Sequence, residues 1–230
     1  MNNESKTAIV TGAGGALGSA VVTHLLEQGF QVVALERHLE HLQARFGDAH
    51  ARLLAIACDV TDAASIRAAC EQTLQRFGRI DVLCNIAGGF SMGSSIAADA
   101  VEQYEHLMAL NAGSVFKTMH GVVPTMVAQG AGSIINIGAQ SALTGGANMA
   151  AYCASKSAEI RLTESFAAEF KAQGLRVNCI LPRIIDTPQN RKDMPDADFT
   201  QWTSPEKIAQ TIGFLASDNA AAVNGASIAV

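Results

Sequence analysis

Seven short apolar runs recur along the chain, and stretches with helical periodicity separate them. The runs are KTAIV (6–10), QVVALE (31–36), LLAIACDV (53–60), IDVLCNIAG (80–88), SIINIG (133–138), LRVNCILP (175–182) and ASIAV (226–230). Near-continuous apolar runs are typical of strands that helices cover on both faces, as in a parallel sheet. The alternation therefore predicts a doubly wound α/β fold with a seven-stranded parallel sheet flanked by helices.

Three of the intervening stretches show clear helical patterns, at 16–29, 65–78 and 151–174, and each ends on a glycine. A glycine is a natural end for a helix, because it adopts the left-handed backbone conformation without a steric penalty. The 230 residues are enough for one domain with a well-buried core but few for two. We find no linker, repeat or low-complexity tract, so a single domain over 1–230 is expected.

Composition argues against several classes of protein. Sixteen Lys and Arg face 21 Asp and Glu, and no basic run suggests nucleic-acid binding. The five cysteines are scattered without a CxxC pair, which indicates neither disulfides nor a metal site. The N-terminal segment lacks the apolar core of a signal peptide, and no apolar stretch approaches the roughly 20 residues that a membrane span needs. We expect a cytoplasmic protein with no membrane or nucleic-acid partner.

A glycine-rich segment, TGAGGALGS (11–19), follows the first apolar run and opens the first helix. A dinucleotide pyrophosphate needs such a loop, because the backbone must turn sharply, approach the phosphates closely and present amides at a helix N-terminus. The order of strand, loop and helix favours a cofactor site over an ordinary turn. The loop residues that we expect to contact the cofactor are Gly12, Gly14, Gly15, Ala16, Leu17 and Gly18.

Glu36 ends the second apolar run, 18 residues after Gly18. A carboxylate at this position accepts hydrogen bonds from the adenosine ribose hydroxyls and repels a 2′-phosphate, which favours NAD(H). The next residue, Arg37, could instead hold a 2′-phosphate, so NADP(H) is an alternative. The alternative without a cofactor is that Glu36 and Arg37 form a solvated pair at the end of the strand.

Six motifs follow one another along the chain: TGAGGALG, CDV (58–60), NIAG (85–88), LNAGSVF around Asn111, Tyr152-x-x-x-Lys156 and P-x-x-x-D-T (182–187). In this order they resemble the short-chain dehydrogenase/reductase family over essentially the whole chain. The resemblance implies a Rossmann-like NAD(P)-binding domain, a small-molecule substrate and a homodimer or homotetramer. The further cofactor contacts that it implies are Asp59, Val60, Asn85, Ala87, Gly88, Tyr152, Lys156, Pro182, Ile185 and Thr187.

Tyr152 and Lys156 lie four residues apart on the longest predicted helix and therefore share a face. A free phenol has a pKa of about 10. An ammonium at about 4 Å, with an effective dielectric constant of about 20, favours phenolate by about 4 kcal/mol, or about 3 on the pKa scale. We therefore expect Lys156 to make Tyr152 a general acid/base near neutrality. The resemblance adds that Lys156 binds the nicotinamide ribose and that Asn111 supports a water in the proton relay.

Ala139 stands 13 residues before Tyr152, where the family usually carries a catalytic serine. Loss of a comparable oxyanion donor typically costs about 10²–10³ in rate. Three interpretations are open. Ser141 takes the place of the missing serine, the substrate does not need that donor, or the protein binds cofactor without turnover.

Three segments, at 15–19, 138–143 and 186–202, resemble the dihydropteridine reductase branch, which also carries alanine in place of the serine. The resemblance implies a conjugated imine substrate, and a substrate-covering loop at about 183–204. The asparagine at position 111 is instead a point of resemblance to the carbonyl-reducing majority of the family, which carries Asn111 as well. The leading hypothesis is an NAD(P)H-dependent oxidoreductase acting on a small carbonyl, imine or pterin-like substrate. The alternatives are a 3-oxoacyl thioester reductase and a catalytically silent nicotinamide-binding regulatory protein.

Overall fold

A parallel sheet of seven strands forms the centre of the computed structural model, which describes residues 5–47, 51–92 and 100–230. The strands lie in the order β3-β2-β1-β4-β5-β6-β7, and every neighbouring pair is parallel. Their bounds are β1 Thr7–Thr11, β2 Gln31–Glu36, β3 Leu53–Ala57, β4 Val82–Asn85, β5 Gly132–Ile137, β6 Leu175–Leu181 and β7 Ser227–Ala229. The predicted doubly wound α/β fold is confirmed.

Helices connect successive strands and cover both faces of the sheet. Their bounds are α1 Ala16–Glu27, α2 Leu39–Phe46, α3 Ala63–Phe77, α4 Ala100–Leu107, α5 Ser114–Gln129, α6 Ala150–Glu169, α7 Pro188–Asp193 and α8 Pro205–Ala216. Local chemistry sets several of these ends. The Asp62 carboxylate accepts hydrogen bonds from two amides in the first turn of α3, and Ser204 caps α8 directly before a proline.

Several predicted elements are shorter in the structure, including β3 and β7, and two of them illustrate why. The apolar run at 80–88 supplies only the four residues of β4, because the amides of Ile86 and Ala87 turn away from the sheet and donate to the Thr11 hydroxyl at 2.9 and 3.0 Å. The helix predicted over 151–174 ends at Glu169 and is followed by a short 3₁₀ turn. Gly174, with φ of +81°, then starts the approach to β6.

Two apolar cores lie on opposite faces of the sheet. Alternate residues of β1 point into each, with Ala8 and Val10 on one face and Ile9 on the other. Helices α1 and α8 close the first core, while α3 and α5 close the second. Because β1 is buried on both faces, its apolar residues are continuous rather than alternating, as the sequence pattern required.

The strand order reverses between β1 and β4, which both leave the sheet at its carboxyl edge. In open α/β sheets such a switch point opens a crevice, because the connections on its two sides lead to opposite faces. The segments that follow β1, β2, β4, β5 and β6 all meet at this edge. Most of the residues singled out from the sequence belong to these segments.

All five cysteines are free thiols and all are buried. Burial raises the pKa of Cys84, at the centre of the sheet, to about 12. Among the described residues, no helix combines the length and the apolar character needed to cross a membrane.

Candidate active site

The glycine-rich loop after β1 is packed too closely for side chains at several positions. Gly12 has φ of +63°, and a methyl group added to it would lie 2.9 Å from the backbone of Ala87. A methyl group on Gly18 would overlap the carbonyl oxygen of Gly12. The glycines therefore allow the loop to fold back on itself and on the segment after β4, as the sequence predicted for a pyrophosphate-binding turn.

A cavity of about 560 Å³ opens beside this loop at the switch point. Nine of the predicted cofactor residues line it: Gly12, Gly15, Leu17, Gly18, Glu36, Arg37, Val60, Ala87 and Gly88. The remaining lining residues, which sequence reasoning missed, are Leu35, His38, Cys58, Ile86, His106 and Leu110. Cys58, Ile86 and Leu110 belong to the motifs CDV, NIAG and LNAGSVF but were not singled out as cofactor contacts. The other three lie outside the motifs and reach the cavity because the strands end together.

The other predicted cofactor residues lie outside this lining. They are Gly14, Ala16, Asp59, Asn85, Tyr152, Lys156, Pro182, Ile185 and Thr187. Asn85 is buried beneath the cavity, where it donates to Asn136 at 2.9 Å and accepts from Thr118 at 2.7 Å. Its side chain therefore joins β4 to β5 and α5 rather than facing the cavity.

Polar groups surround the end of β2 at one side of the cavity. The Glu36 carboxylate accepts hydrogen bonds from the Gly14 amide at 3.1 Å and from the Arg37 amide at 3.0 Å. The Arg37 guanidinium lies 3.4 Å from Asp59. Hydrogen bonds from Thr61, and then the charge of Arg37, hold the pKa of Asp59 below its usual range. A crowded glycine loop and a carboxylate at the strand end together fit the ribose and pyrophosphate of a nicotinamide dinucleotide.

Tyr152 and Lys156 occupy successive turns of α6, as their spacing predicted. The Lys156 ammonium is buried and donates to the Ile137 carbonyl at 2.7 Å and to the Glu159 carboxylate at 2.9 Å. Sequence reasoning missed Glu159. The spacing of Tyr152, Lys156 and Glu159, at i, i+4 and i+7, places all three on one helical face and was the available signal.

The electrostatic prediction for Tyr152 is wrong in this arrangement. Burial, followed by the negative charge of Glu159, raises the pKa of Tyr152 to about 12. The sequence argument assumed an unpaired ammonium, whereas Glu159 neutralises Lys156. Burial also raises the pKa of Glu159 itself, against the opposing effect of Lys156.

Asn111 lies in a π-helical turn, Met108–Gly113, between α4 and α5. Its buried amide accepts a hydrogen bond from the Gly89 amide at 2.8 Å and donates to the Gly89 carbonyl at 3.1 Å and to the Ser155 hydroxyl at 2.9 Å. Asn111 therefore ties the loop after β4 to α6. π-Turns inside helices are frequent at functional sites.

Gly88 joins this group to the cavity. A methyl group on Gly88 would lie 3.0 Å from the Asn111 Oδ1 and 3.3 Å from the Lys156 Nζ, and Gly88 itself lines the cavity. Gly88 thus separates the cavity from the side chains of Asn111 and Lys156.

The segment after β5 carries Ala139 and Ser141. Ala139 is buried and extended, and Ser141 lies in the 3₁₀ turn Gln140–Leu143. The Gln140 amide donates to the Pro182 carbonyl at 3.0 Å, and the Ser157 hydroxyl of α6 donates to Ala142 at 2.7 Å. Within the described part of the chain, no hydrogen bond joins Ser141 to Tyr152.

Aromatic and apolar side chains stand at the outer side of Tyr152. Phe90 packs edge-to-face on the Tyr152 ring, with 4.9 Å between ring centroids. Phe90 is 59% exposed, and Met92 and Leu143 are also exposed. Large apolar side chains in solvent at the mouth of a crevice are a typical feature of a substrate site. Sequence reasoning missed Phe90, because it lies in a loop without a motif.

The segment 183–204 is a folded excursion rather than an open loop. Ile185 bridges Thr203, and Thr187 caps α7 by accepting from the Asn190 amide at 3.1 Å. Arg191 pairs with Asp186 at 2.6 Å and stacks 4.7 Å from the centre of the Phe199 ring. That ring in turn packs on Trp202, with 4.7 Å between centroids.

Comparisons with known proteins place this geometry in a family. The model of the family described as "short chain dehydrogenase" matches residues 6–198. The chain is 37% identical over 240 residues to 2-(R)-hydroxypropyl-CoM dehydrogenase of Xanthobacter autotrophicus, covering 97% of this chain and 96% of that protein. It is 31% identical over 241 residues to the 3-oxoacyl-(acyl-carrier-protein) reductase FabG of Thermotoga maritima, covering 100% and 98%.

Among solved structures, that of levodione reductase superposes with a TM-score of 0.89 at 27% identity and covers 98% of this chain and 95% of its own. The resemblance to the dihydropteridine reductase branch is not specifically supported by these relatives and stays a prediction. The sheet order, the glycine loop at the switch point and the full-length matches agree on the family. The chain belongs to the short-chain dehydrogenase/reductase family and is an NAD(P)-dependent oxidoreductase.

Proposed function

We propose that the protein passes a hydride between NAD(H) and a small conjugated carbonyl, imine or pterin-like substrate, with Tyr152 as the proton donor. The observation that carries the proposal is the position of Gly88 between the cavity and Lys156. Because Gly88 lines the cavity and a methyl group added to it would lie 3.3 Å from the Lys156 Nζ, a cofactor in the cavity would lie beside the Tyr152 face of α6. Substrate would then approach between Tyr152 and the exposed Phe90.

Each residue has a separate task in this mechanism. The cofactor, when bound, supplies or accepts the hydride. The Tyr152 hydroxyl donates a proton to the substrate atom that gains negative charge. Lys156 has one N–H left beyond its bonds to Ile137 and Glu159, and this N–H is available to the nicotinamide ribose. Asn111 keeps the loop after β4 against α6. In the proposed mechanism it also supports a water in the proton relay.

The preference for NAD(H) rests on the end of β2. Glu36 is fixed at the cavity by two backbone amides, and its charge would repel a 2′-phosphate. Arg37, the residue that could accept such a phosphate, is paired with Asp59. Pro182, Ile185 and Thr187 would contact the nicotinamide end, and the segment 183–204 would cover the substrate.

The proposed substrate class follows from Ala139. A methyl group at this position donates no hydrogen bond, so a substrate that concentrates negative charge on one oxygen would lose about 2.7–4 kcal/mol of transition-state stabilisation. A conjugated system spreads the charge and depends less on a second donor. The second candidate, 3-oxoacyl thioester reduction, is favoured by the similarity to a reductase of that name, and it would require Ser141 to act as the donor.

Steady-state oxidation of NADH and NADPH tests the proposal, with quinonoid dihydropterin and an acetoacetyl thioester as paired substrates. We expect turnover of the pterin with NADH, and a loss of about 10²–10⁴ in rate for Tyr152→Phe, because the phenol hydroxyl supplies the proton. Thioester turnover that Ser141→Ala abolishes would favour the second candidate. Cofactor binding without any turnover would indicate the regulatory alternative, and full activity of Tyr152→Phe would contradict the mechanism.

A further inference from the structure

Glu159 is a buried carboxylate at the site that the mechanism above does not use. Its side chain is 1% exposed, and that of its partner Lys156 is 8% exposed. The Glu159 Oε2 is also buried, and it has no hydrogen-bond partner among the described residues. A carboxylate is strongly disfavoured in such a place unless a cation offsets its charge. The ion pair at 2.9 Å therefore accounts for the charge on both residues.

The ion pair also fixes where the lysine head group lies. Of the three Lys156 N–H groups, one is directed to the Ile137 carbonyl at the end of β5 and one to Glu159. The ammonium is thus held from the side of the core, and its remaining N–H is the only one free to reach the cofactor. The bond to Glu159 therefore fixes the position of the ammonium, and the charge of Glu159 offsets the positive charge of Lys156.

Few other ionisable groups act on this pair. From α6 itself, Tyr152 and Cys153 lie one to two turns away, and from β6, Cys179 faces the pair. The pKa of Cys179 is raised to about 12, mainly by burial and then by Glu159, so this thiol is neutral.

The remaining elements that pack against α6 place no charge on Glu159. Helix α5 directs the Lys117 ammonium to the Thr61 carbonyl at 2.9 Å and carries His120 at the surface. Strand β5, the π-helical turn and the 3₁₀ turn Gln140–Leu143 have no ionisable side chains. The 3₁₀ turn Lys171–Gln173 lies beyond the far end of the helix. Helix α4 carries its ionisable side chains, Glu102, Tyr104, Glu105 and His106, at the surface. Within the described residues, Lys156 and Glu159 therefore balance one another.

We propose that Glu159 is a positioning residue that holds and neutralises the Lys156 ammonium, and thereby keeps the Tyr152 phenol in its proton-donating form. The proposal rests on the proposed function, since it assigns the proton to Tyr152. Its consequence concerns rates. Reduction uses the protonated phenol and oxidation uses the phenolate, so the form of the enzyme that carries out reduction predominates at neutral pH.

The direction of the effect agrees with the titration of the tyrosine. A negative charge nearby disfavours the phenolate, and the pKa of Tyr152 is raised to about 12 by burial and by Glu159. Without Glu159 the unbalanced ammonium would favour the phenolate, and the pKa of Tyr152 would fall.

A titration of Tyr152 tests the proposal directly. The chain has only two tyrosines, and the other, Tyr104, is 47% exposed on α4 and has no place in the mechanism. In a Tyr104→Phe background the near-ultraviolet absorbance of phenolate reports Tyr152 alone. The absorbance is recorded immediately after a rapid change of pH, before the protein unfolds in alkali. The measurement needs neither cofactor nor substrate.

We expect Glu159→Gln in this background to lower the ionisation midpoint of Tyr152 by about one pH unit or more, which is at least a tenfold change in proton affinity. Glutamine keeps an oxygen acceptor for Lys156 but removes the negative charge. The matched control is Glu164→Gln on the same helix, which breaks an ion pair with Arg161 of the same i,i+3 spacing, at 2.6 Å but at the surface. The control is expected to leave the midpoint unchanged.

An unchanged midpoint in Glu159→Gln, or an equal shift in the control, would overturn the proposal. If the glutamine variant does not fold, Glu159→Leu fills the same space without charge and should shift the midpoint in the same direction. If neither folds, the Tyr104→Phe protein is itself decisive, because a midpoint at or below the ordinary value of about 10 would contradict a balancing role for Glu159.

The titration separates this proposal from the proposed function. A lowered midpoint in a protein that turns over no substrate would support the role of Glu159 and remove the mechanism. Where turnover is found, the alkaline limb of kcat/KM for reduction should move to lower pH in Glu159→Gln, whereas loss of packing alone would lower the rate without moving that limb.

Discussion

Two residues, Ala139 and Glu159, affect how strongly the site stabilises negative charge on the substrate, and they act in the same direction. Ala139 places a methyl group where the family resemblance implies a serine, and Glu159 neutralises the Lys156 ammonium. Both reduce the stabilisation of a concentrated negative charge on the substrate. We therefore expect a substrate that accepts a proton readily or spreads its charge over a conjugated system, as an imine or a pterin does.

Glu36 is the residue on which cofactor choice should depend. We expect Glu36→Ala to raise the affinity for NADPH relative to NADH by about tenfold or more, because it removes a carboxylate that would repel a 2′-phosphate. Dissociation constants from the fluorescence of the two reduced cofactors measure this ratio. Glu40→Ala is the control, because Glu40 lies nearby on exposed α2, where its carboxylate is 3.8 Å from the His38 Nδ1. A ratio that Glu36→Ala does not change would contradict the assignment.

Helix α6 shows both the reach and the limit of sequence reasoning. The Tyr152–Lys156 spacing was sufficient to place both side chains on one face, and the helix confirms it. The same periodicity extends to Glu159, but a carboxylate at that spacing is ordinarily a surface residue. Only the packing of α6 against β5 and β6 shows that this face is buried, and burial reversed the expected direction of the pKa of Tyr152.

The end of β4 shows a second limit. The apolar run predicted a strand to residue 88. The Thr11 hydroxyl instead accepts hydrogen bonds from the Ile86 and Ala87 amides, and the segment leaves the sheet there. A side chain on a neighbouring strand makes these bonds, so periodicity within the run could not reveal them. The glycine loop, in contrast, was predictable because its chemistry is local to residues 11–19.

The loop between β1 and α1 offers a stability test at the scale of an element. We expect Gly18→Ala to lower the free energy of unfolding by about 1–3 kcal/mol and to weaken NADH binding, because the added methyl group meets the Gly12 carbonyl. Gly145→Ala is the control, since nothing lies within 4 Å of a methyl group there, and its effect should stay within about 0.5 kcal/mol. Denaturant unfolding and a cofactor titration measure both. Equal stability of the two variants would show that the loop adjusts freely.

At the scale of the whole molecule, the parallel sheet holds nearly every functional segment at one edge. Five strand ends converge there, so residues far apart in sequence, such as Glu36, Gly88 and Lys156, come within one crevice. This convergence could be inferred from the alternating pattern, because parallel strands present their carboxyl ends together. The lining residues outside the motifs, such as His38 and His106, needed the coordinates.

Surface chemistry also bears on assembly. Phe116 of α5 is 48% exposed and packs edge-to-face on Phe166 of α6, with 5.8 Å between centroids, which leaves an apolar surface across both helices. We expect light scattering to give two or four times the chain mass of 24.0 kDa. Phe116→Arg should lower this multiple, because it buries a charge in the contact. The control is Phe214→Arg on α8, where Phe214 is 45% exposed. A monomeric native protein would contradict the expectation.

The five buried thiols give the wild-type chain its own reporter of opening. Apart from Cys58, which lines the cavity beside the glycine loop, each lies where an alkylating reagent cannot reach it while the sheet and its helices stay closed. The rate at which thiols are modified in native solution therefore counts excursions in which the molecule opens. Thiols at different depths, such as Cys84 within the sheet and Cys153 on α6, would distinguish global opening from local loosening around the site, without any label being engineered into the protein.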